Sequence, residues 1–236
     1  MMFWRQYISF SWRKNILTIS LISILVALGF WQLHRATEKT NMLEKAQRAK
    51  NQLPVYWSPE AFKPKQYQAI SVQGQFLNIQ FLLDNQHNNH RFGYDVINAL
   101  RLSNGQILLV DRGFIPANIT RQQMPLIKIP QGVIDLSGYV YYPAAKSWVL
   151  GVEIEQKSSR LIVLERIKPA LIAQKLNLPV YPFVLRLAKT SAYGYKRDWA
   201  VVSMPPERHQ AYALQWFGLA LVVLIMYLGT NKKTYE

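Results

Sequence analysis

Two long apolar runs stand near the ends of the 236-residue chain. One covers residues 15–33 and the other residues 211–229, each nineteen residues without a charged side chain. About twenty apolar residues let a helix cross the roughly 30 Å hydrocarbon core of a bilayer. We therefore expect two transmembrane helices. The rival interpretations are a signal peptide for the first run, although it lacks a clear A-x-A cleavage site, and two buried helices of a soluble protein.

Basic side chains flank both runs on the side of the chain ends. Three basic residues precede the first run, and Lys232 and Lys233 follow the second. Positively charged flanks favour the cytoplasmic side of a membrane. We therefore expect residues 1–14 and 230–236 in the cytoplasm, and residues 34–210 on the outer side as one extracytoplasmic domain.

The segment between the runs has the pattern of a strand-rich α+β domain. Residues 37–51 are good helix formers and predict a solvated helical stalk that continues the first span. Because the strands follow one another without long helices between them, we expect an antiparallel sheet or a partly closed barrel. A short helix is predicted at residues 169–178, where a proline stands at the start. The strand candidates are residues 67–76, 79–84, 94–102, 106–110, 133–141, 161–166 and 183–187.

Two turn signals connect neighbouring strand candidates. A short polar break between residues 76 and 79 predicts a first hairpin. Ser103, Asn104 and Gly105 separate the next pair of strands, and Asn-Gly suits the positive φ values of a type I′ turn. The sequence therefore predicts a second hairpin centred on these residues.

Composition limits the chemistry of the protein. The formal charge is +15, but the basic residues are scattered and form no nucleic-acid module, so no nucleic-acid partner is expected. The chain has no cysteine, which excludes thiolate sites. Hydrolase, nucleotide and zinc-protease signatures are missing, and the sequence does not favour an enzyme. His87 and His90 with Asp84 are either metal ligands or solvated loop residues, and the second interpretation is the commoner.

Histidines also lie at the outer ends of both runs. His34 follows the first run and His209 precedes the second, so an antiparallel helix pair would place both at the outer membrane surface. On a helix, His209, Tyr212, Ala213 and Trp216 share one face. Such a face suits a haem with an imidazole as axial ligand. It also suits an interfacial belt of aromatic side chains, and spacing alone favours this second interpretation.

Three sequence blocks resemble the Surfeit locus protein 1 family, and they follow one another in the family's order. They are LGFWQLHRATEK at residues 28–39, GYDVINALRLSNGQILLVDRGFIP at residues 93–116 and HQAYALQWFGLA at residues 209–220. Asp111 departs from the pattern, because asparagine is usual before the arginine of the second block. The matching positions are Leu28, Gly29, Trp31, Gln32, Arg35, Lys39, Gly93, Tyr94, Gly105, Val110, Arg112, Gly113, Phe114, Pro116, His209, Tyr212, Ala213, Gln215 and Trp216.

The resemblance implies an assembly factor for a haem-copper terminal oxidase that binds haem a and assists its insertion into the catalytic subunit. It implies His209 as the axial ligand to haem iron, and the shared helical face would then place Tyr212 and Trp216 beside the macrocycle. His34 is the candidate for a second ligand. Arg112 either holds the fold or pairs with a haem propionate.

The expected partners are the oxidase catalytic subunit, haem a synthase and membrane lipids. Because family members occur in bacteria and mitochondria, the lack of an Arg- and Ser-rich transit peptide favours the bacterial inner membrane, with the domain in the periplasm. A structural chaperone that carries no haem is the alternative function, and a periplasmic hydrolase is a third. Whether the client is a cytochrome c or a quinol oxidase stays open.

Overall fold

The computed structural model describes residues 7–8, 12–118, 123–144, 153–230 and 232–233. The chain divides into a helical unit, residues 1–45 with 200–236, and a sheet unit, residues 46–199. The helices are α1 Trp12–Lys50, α2 Pro169–Leu176 and α3 Pro206–Thr230. The strands are β1 Tyr7–Ile8, β2 Val55–Tyr56, β3 Ala69–Asn88, β4 Arg91–Arg101, β5 Ile107–Pro116, β6 Val133–Tyr141, β7 Ile154–Ser158, β8 Leu161–Leu164, β9 Val180–Leu187 and β10 Lys232–Lys233.

The helical unit contains the two helices that are long and apolar enough to cross a membrane. α1 is one 39-residue helix that includes both the predicted span and the predicted stalk, and it ends one residue before the predicted boundary. In each helix, only 11% of the most apolar 18-residue stretch is buried. A core helix of a soluble protein would be mostly buried, whereas this exposure suits helices surrounded by lipid. At the chain ends, β1 pairs with β10 in antiparallel fashion.

The sheet unit is organised around one long strand. β3 has 20 residues and pairs with β6 through residues 69–75, with β4 through residues 75–88 and with β8 through residues 80–83. The predicted hairpin between residues 76 and 79 is therefore wrong. The pairing of β3 with β4 shifts register between residues 76 and 80, so the polar break marks an irregularity in a continuous strand instead of a reversal.

The strand pairings form a ring in which β3, β4, β5, β9 and β6 follow one another and β6 returns to β3. This ring supports the partly closed barrel of the two predicted alternatives. The pairing is mixed, however, because β9 runs parallel to β5 and β8 runs parallel to β3. A parallel pair needs a long crossover connection, and the segment between β5 and β9 contains β6, β7, β8 and α2.

Among the described residues, three apolar clusters pack against the sheet, and alternating side chains of the ring strands form the two larger ones on opposite faces. On β9, Phe183 and Leu185 belong to one cluster and Val184 to the other, as the strand period of two requires. The first cluster draws on every ring strand and fills the interior, while the second packs with β8 and α2. The interior cluster is Trp57, Ile70, Val72, Phe76, Leu100, Leu102, Leu108, Val110, Ile134, Leu136, Val140, Phe183, Leu185 and Leu187.

The hairpin between β4 and β5 is confirmed, but its turn is of another type. The Gly105 N–H donates to Leu102 O at 2.9 Å, and the Leu102 N–H donates to Gln106 O at 3.0 Å. Gly105 has φ +82°, whereas Ser103 and Asn104 lack positive φ values. A type I′ turn needs two consecutive residues with positive φ, so this loop is the three-residue kind that ends in a left-handed glycine.

Candidate functional site

The two long helices pack against each other in antiparallel orientation. The Tyr227 hydroxyl of α3 donates to Asn15 Oδ1 of α1 at 2.6 Å, and His209 Nδ1 lies 2.8 Å from Gln32 Oε1. Low residue numbers on α1 thus meet high residue numbers on α3. Between these two polar pairs, a Cβ added to Gly29 would lie 2.4 Å from the ring of a phenylalanine of α3. The glycine therefore allows the helices to approach closely, as small residues do at helix interfaces in membranes.

His209 is the buried ionisable residue of this helix interface. Its position in the first turn of α3 follows from Pro206, which starts the helix with its fixed φ. Only 8% of the His209 surface is exposed. Gln32 holds Nδ1, and Nε2 is buried without a hydrogen-bond partner. A buried nitrogen without a hydrogen-bond partner lowers stability, and a ligand-binding role would explain why it is kept, so Nε2 is the candidate ligand atom of the site.

The aromatic residues predicted to accompany His209 lie at the edge of the interface. Tyr212 is 44% exposed, and Trp216 is partly buried. Ala213, one turn after His209, is 1% exposed and belongs to the interface itself. The predicted helical face therefore has two parts. One is a stripe buried in the helix interface, and the other is a more exposed aromatic border.

His34 lies elsewhere on α1. Its side chain is 72% exposed, and its Nε2 is 3.3 Å from Glu38 Oε1. Gln32, two residues earlier, is the α1 side chain that is hydrogen-bonded to His209. Because two residues correspond to about 200° around a helix, Gln32 and His34 point in nearly opposite directions. The role of His34 as second ligand stays a prediction without support from these contacts.

Arg112 lies in the interior of the sheet unit, where only 3% of its surface is exposed. Its guanidinium donates to two backbone carbonyls and to Asn98 Oδ1, the last at 3.0 Å. Burial lowers the pKa of Arg112 from its usual value. These contacts support the interpretation that Arg112 holds the fold. The two carbonyls are Tyr193 O at 2.7 Å and Lys128 O at 3.1 Å, and the rings of Phe76 and Tyr195 also lie beside the guanidinium.

The residues after Arg112 fasten a second segment to β5. Gly113 has φ +109°, and a Cβ there would lie 2.6 Å from Lys196 O. Only glycine permits both the conformation and this close approach. The Phe114 N–H donates to Lys196 O at 2.8 Å, and the Tyr195 N–H donates to Arg112 O at 2.7 Å. The R-G-F-I-P run therefore attaches residues 195–196 to the barrel.

A buried charged cluster on the opposite face was not predicted. Asp111 is 1% exposed and Asp95 9% exposed, and the nearby cation is Arg186, whose Nε lies 4.0 Å from Asp111 Oδ2. Burial raises the pKa of Asp95 to about 6. Burial first, and Asp95 second, raise the pKa of Asp111 well above its usual value. The Arg186 guanidinium also lies 3.6 Å from the ring centroid of Tyr141.

The histidines at the β3–β4 turn show no metal site. His87 and His90 are exposed, and the His87 ring packs edge-on against Phe92 at 5.6 Å. Within the described ranges, no group of three or more His, Asp or Glu residues is arranged to hold a metal ion. The contacts therefore favour the solvated interpretation for this pair.

Together these features define a class of protein: two apolar helices near the chain ends, joined as an antiparallel pair, with a barrel-like sheet unit between them in sequence. The chain belongs to the SURF1 family, whose model matches residues 19–221. A SURF1-like protein of Rickettsia conorii is 25% identical over 229 residues, covering 92% of this chain and 90% of the relative. One from Caenorhabditis elegans is 22% identical over 247 residues, covering 93% and 74%.

Proposed function

We propose that this protein assists assembly of a haem-copper terminal oxidase, and that it carries haem a to the catalytic subunit with His209 as the iron ligand. Membership of the SURF1 family supports the role in oxidase assembly. The observation that supports haem carriage is the buried Nε2 of His209, which has no hydrogen-bond partner while Nδ1 is held by Gln32. A neutral imidazole nitrogen is a usual axial ligand to haem iron.

The proposed location is the bacterial inner membrane, with the sheet unit in the periplasm. The spacing of the two polar pairs in the helix interface supports the membrane-spanning part of this proposal. Asn15 and Gln32 are seventeen residues apart on α1, which corresponds to ~26 Å at 1.5 Å per residue. This length is close to the roughly 30 Å hydrocarbon core, so in the proposed placement each pair would lie near one membrane boundary. His209 would then lie at the periplasmic boundary of the membrane in which the oxidase resides.

The surroundings of His209 suit a large apolar cofactor. Tyr212 and Trp216 border the buried stripe of α3, and both helices expose many leucine and isoleucine side chains beyond it. Haem a, when bound, would supply an iron that accepts the imidazole lone pair, and it would be cargo for delivery. The chain would contribute the nitrogen ligand, its orientation by Gln32 and an aromatic border that shields the macrocycle from water.

A structural chaperone without haem is the second candidate function. The observation in its favour is that His209 Nε2 is fully buried. A ligand reaches such an atom only after neighbouring side chains move. In this alternative the Gln32–His209 hydrogen bond serves only to join the two helices, and the membrane helices and sheet unit stabilise an oxidase intermediate.

The two functions are distinguished by the haem content of the oxidase in cells that lack the chromosomal copy of this gene. Membranes are compared after complementation with the wild-type chain, His209→Ala or the exposed-histidine control His87→Ala. We expect His209→Ala to leave the oxidase deficient in a-type haem, while the control restores it. Full haem content with His209→Ala, at equal protein abundance, would refute haem carriage and leave the chaperone.

A further inference from the structure

We propose that Gln32 is a positioning residue that fixes the proton of His209 on Nδ1 and so reserves the Nε2 lone pair for iron. This inference rests on the proposed function, because it assigns a role to a second side chain of the same site. The two side chains come from different helices, α1 and α3, and are joined by one hydrogen bond of 2.8 Å.

The chemistry of the two partners determines the direction of that bond. The atom of Gln32 that faces His209 is Oε1, a carbonyl oxygen that accepts hydrogen bonds and donates none. With Oε1 facing the ring, Nδ1 acts as the donor and carries the proton in the proposed arrangement. In a neutral imidazole the other ring nitrogen then has no proton, so Nε2 presents a lone pair. This is the tautomer that a metal bound through Nε2 requires.

Burial makes this arrangement selective. His209 is 8% exposed, so water does not replace Gln32 freely as the partner of Nδ1. Nε2 has no competing protein donor, because it lacks any hydrogen-bond partner. The site thus keeps one nitrogen engaged and the other unused. Groups that hold the second nitrogen of a ligating histidine fix its ring orientation and raise its basicity.

The close approach of the helices makes the hydrogen bond possible. Gly29 lies three residues before Gln32, on the same face of α1. The ring of Phe217 occupies the space that a Cβ at Gly29 would need. Phe217 lies two helical turns after His209, on the same side of α3. The glycine contact and the Gln32–His209 contact are therefore neighbouring parts of one interface.

Two substitutions separate the role of Gln32 as an acceptor from its contribution to packing. Gln32→Leu has a similar size but no acceptor, so the proton of His209 loses its fixed position. Gln32→Glu keeps acceptor oxygens towards Nδ1. Loss of such a supporting partner weakens metal binding by about 10- to 100-fold in known sites. We expect that loss of haem a affinity for Gln32→Leu and near wild-type affinity for Gln32→Glu.

The first readout needs no haem. Full-length chain labelled with ¹⁵N-histidine is purified in detergent, and long-range ¹H–¹⁵N correlation spectra are recorded near pH 8.5, about two units above the usual histidine pKa. The signals of His209 are identified among the four histidines by their loss in His209→Ala. We expect the Nδ1–H tautomer in the wild type, and a mixture or the Nε2–H tautomer in Gln32→Leu.

Asn15→Leu is the matched control, because it removes the hydrogen bond of another amide side chain between the same two helices. It should leave the tautomer of His209 unchanged. The Nε2–H tautomer in the wild type, or the same tautomer in wild type and Gln32→Leu, would overturn the inference.

Titration with haem a is the second readout. Equal affinity of wild type and Gln32→Leu would also overturn the positioning role of Gln32. Absence of haem a binding by a wild type that shows the Nδ1–H tautomer would instead refute the proposed haem carriage. The failure of the inference and the failure of the proposed function are therefore distinguishable.

Discussion

The buried carboxyl pair of the sheet unit should make this protein less stable at neutral pH than in mild acid. Asp95 and Asp111 share the nearby cation Arg186, and the two aspartates are 9% and 1% exposed. If both ionise, the cluster has a net buried charge of −1, whereas one retained proton makes it neutral. Burial therefore favours retention of a proton by the pair.

The size of this change in the free energy of unfolding follows from the pKa of Asp95, which burial raises from 3.8 to about 6. Between these values the folded chain holds a proton that the unfolded chain has released, so the free energy of unfolding falls as pH rises. At 1.36 kcal/mol per unit, a shift of about two units corresponds to ~3 kcal/mol. The part of the stabilisation that comes from Asp95 is fully present below about pH 4 and is lost by about pH 6 to 7.

Urea-induced unfolding of the full chain in mild detergent, followed by near-ultraviolet circular dichroism from pH 4 to 8, measures this effect. We expect Asp95→Asn to gain stability relative to wild type as pH rises, by ~3 kcal/mol in total. Asp135→Asn is the matched control, because Asp135 is exposed on β6. Parallel pH profiles for wild type and Asp95→Asn would refute the reasoning.

Two further predictions concern packing in each unit. Arg112→Met leaves one buried side-chain oxygen and two backbone carbonyls without their donor. It should therefore lower the free energy of unfolding, measured with urea, by ~3 kcal/mol or more. A change below ~1 kcal/mol would contradict the structural role of Arg112. Because the chain has no cysteine, thiol cross-linking between Asn15→Cys and Tyr227→Cys can report the approach of the two helices. Gly29→Leu should separate the helices and reduce this cross-linking. Gly218→Leu is the control and should leave it unchanged, because a Cβ added there meets nothing within 4 Å. Equal cross-linking in both glycine variants would count against the proposed helix interface.

Local signals in the sequence predicted many elements of the fold. The two uncharged runs became α1 and α3, and the proline at residue 169 stands at the start of α2. The Asn-Gly signal located the β4–β5 hairpin, but it did not determine the turn type, because a left-handed Gly105 serves both kinds of loop. The break near residue 77 was misread because a polar interruption marks a bulge as well as a reversal.

Features that depend on distant parts of the chain were not predictable. The parallel pairing of β9 with β5 and the return of β6 to β3 join strands far apart in sequence. Asp95, Asp111 and Arg186 likewise meet only because β4, β5 and β9 are neighbours in the ring.

The candidate site was predicted in part. Its central residue, His209, came from the aromatic pattern and the family resemblance. Gln32 stood in a matching block, yet nothing local pairs it with His209, because that contact depends on how two distant helices rotate and approach. The nearest sequence signal was Gly29, since a small residue in an apolar helix marks a possible close approach.

The most direct test of the central claim is the optical spectrum and extracted haem content of the chain, purified in mild detergent from cells that make haem a, beside His209→Ala. Haem carriage predicts near-stoichiometric haem a in the wild type and its loss in the variant. Equal and negligible haem in both proteins, or equal and substantial haem in both, would contradict haem carriage through His209.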